Sequence, residues 1–229
     1  MCGRYTLAAD AQAIQLAFQL DDVSAWAQPR FNIAPSQQVA VITDHDPKVL
    51  KLFKWGLIPF WAKDPAIGQR MINARSETAA EKPSFRTAFK RRRCLIPADG
   101  YFEWQRRGSR KVPMYIQRND REIFAMAGLW ESWKQHDGST LHSCAILTTE
   151  ANATIRPIHH RMVVMIEPED YNLWLAPREL KQQEWLPLMA GCPSDKLRFD
   201  EVSTQVNRPI NDNPSVIVPA GPPTQPDLL

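Results

Sequence analysis

Six short runs rich in Val, Ile and aromatic residues, at 39–43, 49–54, 114–118, 123–129, 143–148 and 163–166, constrain the fold of this 229-residue chain more than any other feature. Each is bounded by Asp, Gly, Asn or Pro, residues that end strands and make turns. Helical patterns do not alternate with them, which argues against a regular βαβ repeat and its parallel sheet. One amphipathic helix reads from Asp10, a side-chain N-cap, through Ala11, Ile14, Ala17 and Phe18. A helical pair is expected over 168–175 and 178–189, divided at Pro177, and a last strand over 199–206. The expected fold is α+β, a single domain over 1–229 with a mostly antiparallel, barrel-like core and flanking helices. Residues 209–229 carry six prolines; they are expected to run extended over the surface, with the last ten disordered.

Composition sets the class. With 44% hydrophobic and 23% charged residues the chain is a globular protein and not a disordered one. No apolar run approaches a membrane span and no secretory leader is visible, so a cytoplasmic protein is expected. Cys2, Cys94, Cys144 and Cys192 should then stay reduced, and their spacing fits no zinc motif, so neither a metal nor another cofactor is expected. A net charge of +3 permits a nucleic-acid partner without requiring one. The basic runs Lys90-Arg91-Arg92-Arg93 and Arg106-Arg107…Arg110-Lys111 read either as solvated faces or as phosphate sites.

The chemistry begins at Cys2. Methionine is usually trimmed before a small residue, and removal of Met1 leaves an α-amine and a thiol on one residue, with ordinary pKa values of about 7.7–8.0 and 8.5. Such a 1,2-aminothiol suits an aldehyde: the nitrogen forms an imine, then the sulfur closes an unstrained five-membered thiazolidine. Because both nucleophiles sit on one residue, the second step is intramolecular. The alternative is that Met1 stays and Cys2 is incidental. Glu103, between aromatics in Tyr101-Phe102-Glu103-Trp104, reads as a desolvated general acid/base or as a surface residue of an edge strand. His159 or His160 reads as a proton donor or as a structural residue. Asn73 suits a hydroxyl, a phosphate or a turn cap.

Together these segments resemble the SRAP (SOS-response-associated peptidase) family of abasic-site-processing proteins. The resemblance runs over nearly the whole chain. It is carried by Met1-Cys2-Gly3-Arg4, Phe31-Asn32-Ile33-Ala34-Pro35, Trp55-Gly56-Leu57-Ile58-Pro59 with Trp61, Ile72-Asn73-Ala74-Arg75-Ser76-Glu77-Thr78, Asp99-Gly100-Tyr101-Phe102-Glu103-Trp104, Ile158-His159-His160-Arg161-Met162 and Val202-Ser203-Thr204-Gln205-Val206-Asn207. It implies a protein, expected to be a monomer, that binds abasic sites in single-stranded DNA and links Cys2 covalently to the opened sugar. It also implies Asn73 as the sugar-positioning residue, Glu103 as the catalytic carboxyl and, from the pattern Ile-His-x-Arg, His159 as the catalytic histidine. Arg4, Arg75 and Arg161 are the expected phosphate ligands, joined by Thr148, by Asn32 and Pro35 beside the site, and by Trp61 as a stacking or wedging ring. Many relatives have proline where this chain has Val163. A lyase side reaction and self-removal of Met1 follow from the same groups. The competing reading is an N-terminal-nucleophile hydrolase that uses Cys2 on an amide.

Overall fold

Thirteen strands dominate the computed structural model, which describes residues 2–221. They are β1 Tyr5–Leu7, β2 Arg30–Ile33, β3 Gln38–Thr43, β4 Asp46–Trp55, β5 Asn73–Arg75, β6 Arg93–Ala98, β7 Gly100–Arg107, β8 Arg110–Arg118, β9 Phe124–Lys134, β10 Thr140–Glu150, β11 Arg161–Val163, β12 Met165–Ile166 and β13 Leu197–Glu201. All six predicted runs lie in strands. The strand of 163–166 divides at Val164, whose N–H donates to Leu147 O on β10 while its carbonyl accepts from Ala127 N on β9, both at 2.9 Å. This residue carries the chain from one neighbour to the other.

In the larger sheet β4, β3, β6 and β9 follow one another, β9 pairs with β10, and β10 returns to β4, so five strands close a ring. Closure removes the unpaired edges that an open sheet presents. All the ring's pairings are antiparallel except β10 with β4, and β5 lies parallel on β10 outside the ring. The second sheet runs β13–β8–β7–β1–β2, antiparallel throughout. Apolar side chains of both sheets, among them Tyr5, Ile33, Trp55 and Ile96, bury against one another in the main core, joined by Trp174 from a helical turn.

Helix α1, Ala11–Phe18, starts where expected, with Asp10 accepting from Ala13 N at 2.8 Å and Ile14 and Phe18 buried. The expected helical pair is replaced by short pieces. A 3₁₀ turn, Pro168–Asp170, leads into a turn of α-helix, Tyr171–Trp174; a second α-turn, Gln182–Trp185, is followed by a 3₁₀ turn, Pro187–Met189. Pro177 and Pro187 each remove a backbone donor, and between the turns the chain bends at Pro177 and Arg178 and is extended at Lys181. The last strand ends at Glu201, because Ser203 caps a 3₁₀ turn, Thr204–Asn207. The tail is not simply extended: Pro214–Ile217 form a 3₁₀ turn with Val216 buried, and Ala220 N donates to Glu201 O at 2.8 Å. Met1 and residues 222–229 lie outside the described residues, and with them most of the segment expected to be disordered.

Candidate active site

Strand pairing brings Cys2 to Glu103. Tyr5 pairs with Tyr101 on β7, and Phe102 N donates to Arg4 O at 2.9 Å, so the residues before β1 continue beside Phe102 and Glu103. Both side chains are buried, Cys2 to 1% exposure and Glu103 to 3%, which removes the edge-strand reading of Glu103. Burial, reinforced by the Glu103 charge, pushes the Cys2 thiol up to about 12. Burial also raises the Glu103 carboxyl above its ordinary value.

Asn73 approaches from the other sheet. Strand β5 lies in register with β10 (Asn73 opposite Ile146), and the Asn73 amide donates from Nδ2 to Cys2 O at 2.8 Å. The loop ahead of β5 folds back through Gly56, where a Cβ would come within 2.6 Å of Gly68 O and φ is +128°. Only glycine fits that approach and that conformation.

His159 enters ahead of β11. Arg161 N donates to its Nδ1 at 3.0 Å, which assigns the ring proton to Nε2. Burial lowers the imidazole to about 4, so it is neutral at pH 7. Two residues on, Arg161 is buried and donates both forks to Glu77, at 2.6 and 2.8 Å, and Nη2 also donates to Thr148 O at 2.5 Å. Glu77 follows Asn73 by four residues and Arg161 follows His159 by two. This bidentate pair therefore fastens the two segments to each other and to β10.

Arg4 is held by the other end of the described chain. Its Nη1 donates to Asn32 Oδ1 at 2.9 Å and to Val206 O at 2.7 Å, and its guanidinium lies 6.0 Å from the Trp104 ring centroid. Asn32 is fully buried and its amide donates to the carbonyls of Val206, Arg208 and Asn211. Asp212 accepts from Phe31 N and Asn32 N and pairs with Arg30. Trp104 Nε1 in turn donates to Asn207 Oδ1 at 2.8 Å.

Thus Cys2, Asn73 and Glu103 are brought together, and Glu103 and His159 line one open groove of about 780 Å³ that Trp104, Arg106, Lys111 and Arg156 continue. Arg75 is exposed, Pro35 half-buried, and Trp61 48% exposed beside a separate cleft with Lys63 and Arg70. Thr148, Asn32 and Arg161 are buried and committed to internal partners. The run 90–93 is structural: Lys90 pairs with Glu179, Arg92 with Glu131, and Arg93 donates to the carbonyls of Phe89, Lys90, Trp174, Ala176 and Arg178. Sequence reasoning passed over Glu77 and Asp212. Glu77 lies inside a quoted motif, whereas nothing local marks Asp212. Among the described residues no cluster of His, Cys, Asp and Glu suits a metal ion, and no helix is long and apolar enough to cross a membrane.

A buried cysteine at the chain's second residue, with an amide and a carboxyl beside it and an imidazole on the same groove as the carboxyl, defines the class. The chain belongs to the SOS response associated peptidase (SRAP) family, whose model matches residues 1–209. It is 40% identical over 221 residues to the abasic site processing protein YoqW of Bacillus subtilis (strain 168), covering 95% of this chain and 99% of that one. It is 30% identical over 219 residues to the abasic site processing protein HMCES of Xenopus tropicalis, covering 82% and 65% respectively. Among solved structures, a protein from Bacteroides thetaiotaomicron superposes with a TM-score of 0.86 at 29% identity, over 96% of this chain and 100% of the other.

Proposed function

We propose that this protein processes abasic sites by capturing the opened sugar in single-stranded DNA as a thiazolidine on Cys2, after loss of Met1. The observation that carries the reading is the grouping of a buried Cys2 with the Asn73 amide on its carbonyl and the Glu103 carboxyl beside it. The names of the relatives support it.

The abasic sugar exists partly as an open-chain aldehyde. His159, once protonated, gives its Nε2 proton to the ring oxygen as it leaves. DNA phosphates beside the imidazole raise its proton affinity from the depressed value of the free protein. The Cys2 amine adds to the aldehyde carbon, and the carbinolamine loses water to give the imine, with Glu103 moving the protons. The thiol, protonated at pH 7, cannot lead; it adds second, forming the C–S bond as its proton passes to Glu103 and on to the nitrogen. Asn73 fixes the Cys2 backbone so that nitrogen and sulfur meet one carbon. An imine that does not close is open to β-elimination, the source of a lyase side reaction. We assign self-removal of Met1 to the same carboxyl and imidazole.

Intact mass spectrometry tests the proposal. The purified protein should lack Met1 and, with an abasic oligonucleotide, gain the mass of the DNA less one water. Cys2→Ala should form no adduct yet retain weak DNA affinity. An adduct on Cys2→Ala refutes the aminothiol route, and turnover of an amide panel without DNA would establish the hydrolase instead.

A further inference from the structure

The groove does not end at Glu103 and His159. It continues along the hairpin of β7 and β8, closed by Gly108 at φ +61° and Ser109. Only the first turn residue has positive φ, the pattern of a two-residue type II′ connection that holds the strands in tight register. In that register Arg106 stands directly opposite Lys111 and Arg107 opposite Arg110. Two successive like-charge pairs across a ladder destabilise a hairpin. On one face the repulsion is answered, because Arg107 pairs with Glu201 at 2.7 Å. On the other face, which lines the groove with Trp104, Arg106 and Lys111 are exposed and form no ion pair among the described residues. Arg156 adds a third cation from the opposite wall.

We propose that Arg106 and Lys111, with Arg156, form a second subsite that takes backbone phosphates of the DNA strand flanking the captured sugar. The assignment rests on the function proposed above only for the identity of the strand. An anionic backbone laid between the two walls supplies the countercharge that the hairpin face lacks. Arg106 is three residues along an extended strand from Glu103, roughly 10 Å at about 3.3 Å per residue. At about 3.4 Å of axis per phosphate in a stacked strand, and more where a single strand is extended, the subsite holds positions no farther than roughly three nucleotides from the lesion and not the lesion itself. These cations position the strand and read no base.

The test is the salt dependence of binding to an undamaged oligothymidine, where no covalent step intervenes. Every phosphate that a cation neutralises on a single strand adds about 0.7 to the steepness of log K against log salt. Arg106→Gln with Lys111→Gln removes two such cations and should flatten the slope by about 1.4, while Arg110→Gln, a charge removed from the opposite face, leaves it unchanged. The double variant should melt at or above the wild-type temperature, since it removes a like-charge pair. An unchanged slope in the double variant, or an equal drop in Arg110→Gln, overturns the subsite. If the slopes behave as expected but wild-type protein forms no adduct with abasic DNA, the subsite stands and the Cys2 chemistry falls.

Discussion

Glu77→Gln isolates the ion pair that fastens the Asn73 segment to the His159 segment. Arg161 has 8% of its side chain exposed and Glu77 has 45%. Removing one partner of a fully buried pair costs about 3–5 kcal/mol, whereas exposed pairs contribute about 0.2–1 kcal/mol. Glutamine keeps one acceptor for Nη1 and loses the charge, and water reaches the Glu77 side, so the loss should be about 1–2 kcal/mol. For a chain of this size that lowers Tm by about 2–8 °C. The pH dependence carries the sign. The Arg161 hydrogen bonds hold the Glu77 carboxyl below its ordinary value. Its stabilisation is therefore complete above the unfolded-state pKa of about 4.3 and is lost as pH falls through the lower, folded value. Urea midpoints of wild type and variant, measured from pH 7 down to 3, should differ most at neutral pH and converge at the acid end. A gap of the same size at pH 3 would refute the reasoning, because the loss would then not come from the charged pair. Adduct formation should slow as well, since Arg161 N–H orients His159.

Four further outcomes follow from the same geometry. Cys94, Cys144 and Cys192 are buried, so native Cys2→Ala protein should present almost no thiol to a disulfide reagent at pH 7.5, and three in denaturant, counted by absorbance. Asn73→Ala removes the hydrogen bond to Cys2 O and should slow single-turnover adduct formation about tenfold, equivalent to about 1.4 kcal/mol, with little change in DNA affinity. Arg93→Lys cannot span the five carbonyls that the planar fork reaches, and should lower Tm by about 4–12 °C through a loss of about 2–3 kcal/mol, read by calorimetry. His159 is depressed to about 4, so chemical shifts of its ring in the DNA-free protein should stay those of a neutral imidazole from pH 8 to 5.5 and move only below that.

The fold was legible where burial leaves a periodic trace. Helix α1 shows its cap and apolar face in sequence, and the Val- and Ile-rich strands show their runs. Strands β6 and β7 hid themselves: one starts with Arg93 and contains Pro97, the other contains Glu103 and ends in Arg106-Arg107. Arg93 belongs in a strand because carbonyls from distant turns satisfy it, which no local pattern reports. The grouping of Cys2, Asn73 and Glu103 was legible through family motifs, but the burial of Cys2 was not, since it comes from β1 lying against β7. Arg161 reads as a free guanidinium in sequence. Its commitment depends on Glu77, 84 positions earlier, and only the tertiary arrangement reveals it.

The strap from Val206 to Asp212 has a consequence for how the protein is made. Synthesis is vectorial, and Cys2 and Arg4 are translated well before the strap. The carbonyls that seat Asn32, and through it Arg4, follow Asn32 by 174 to 179 residues. At about 5–20 residues per second, roughly ten seconds or more separate translation of Arg4 from translation of the strap that seats it.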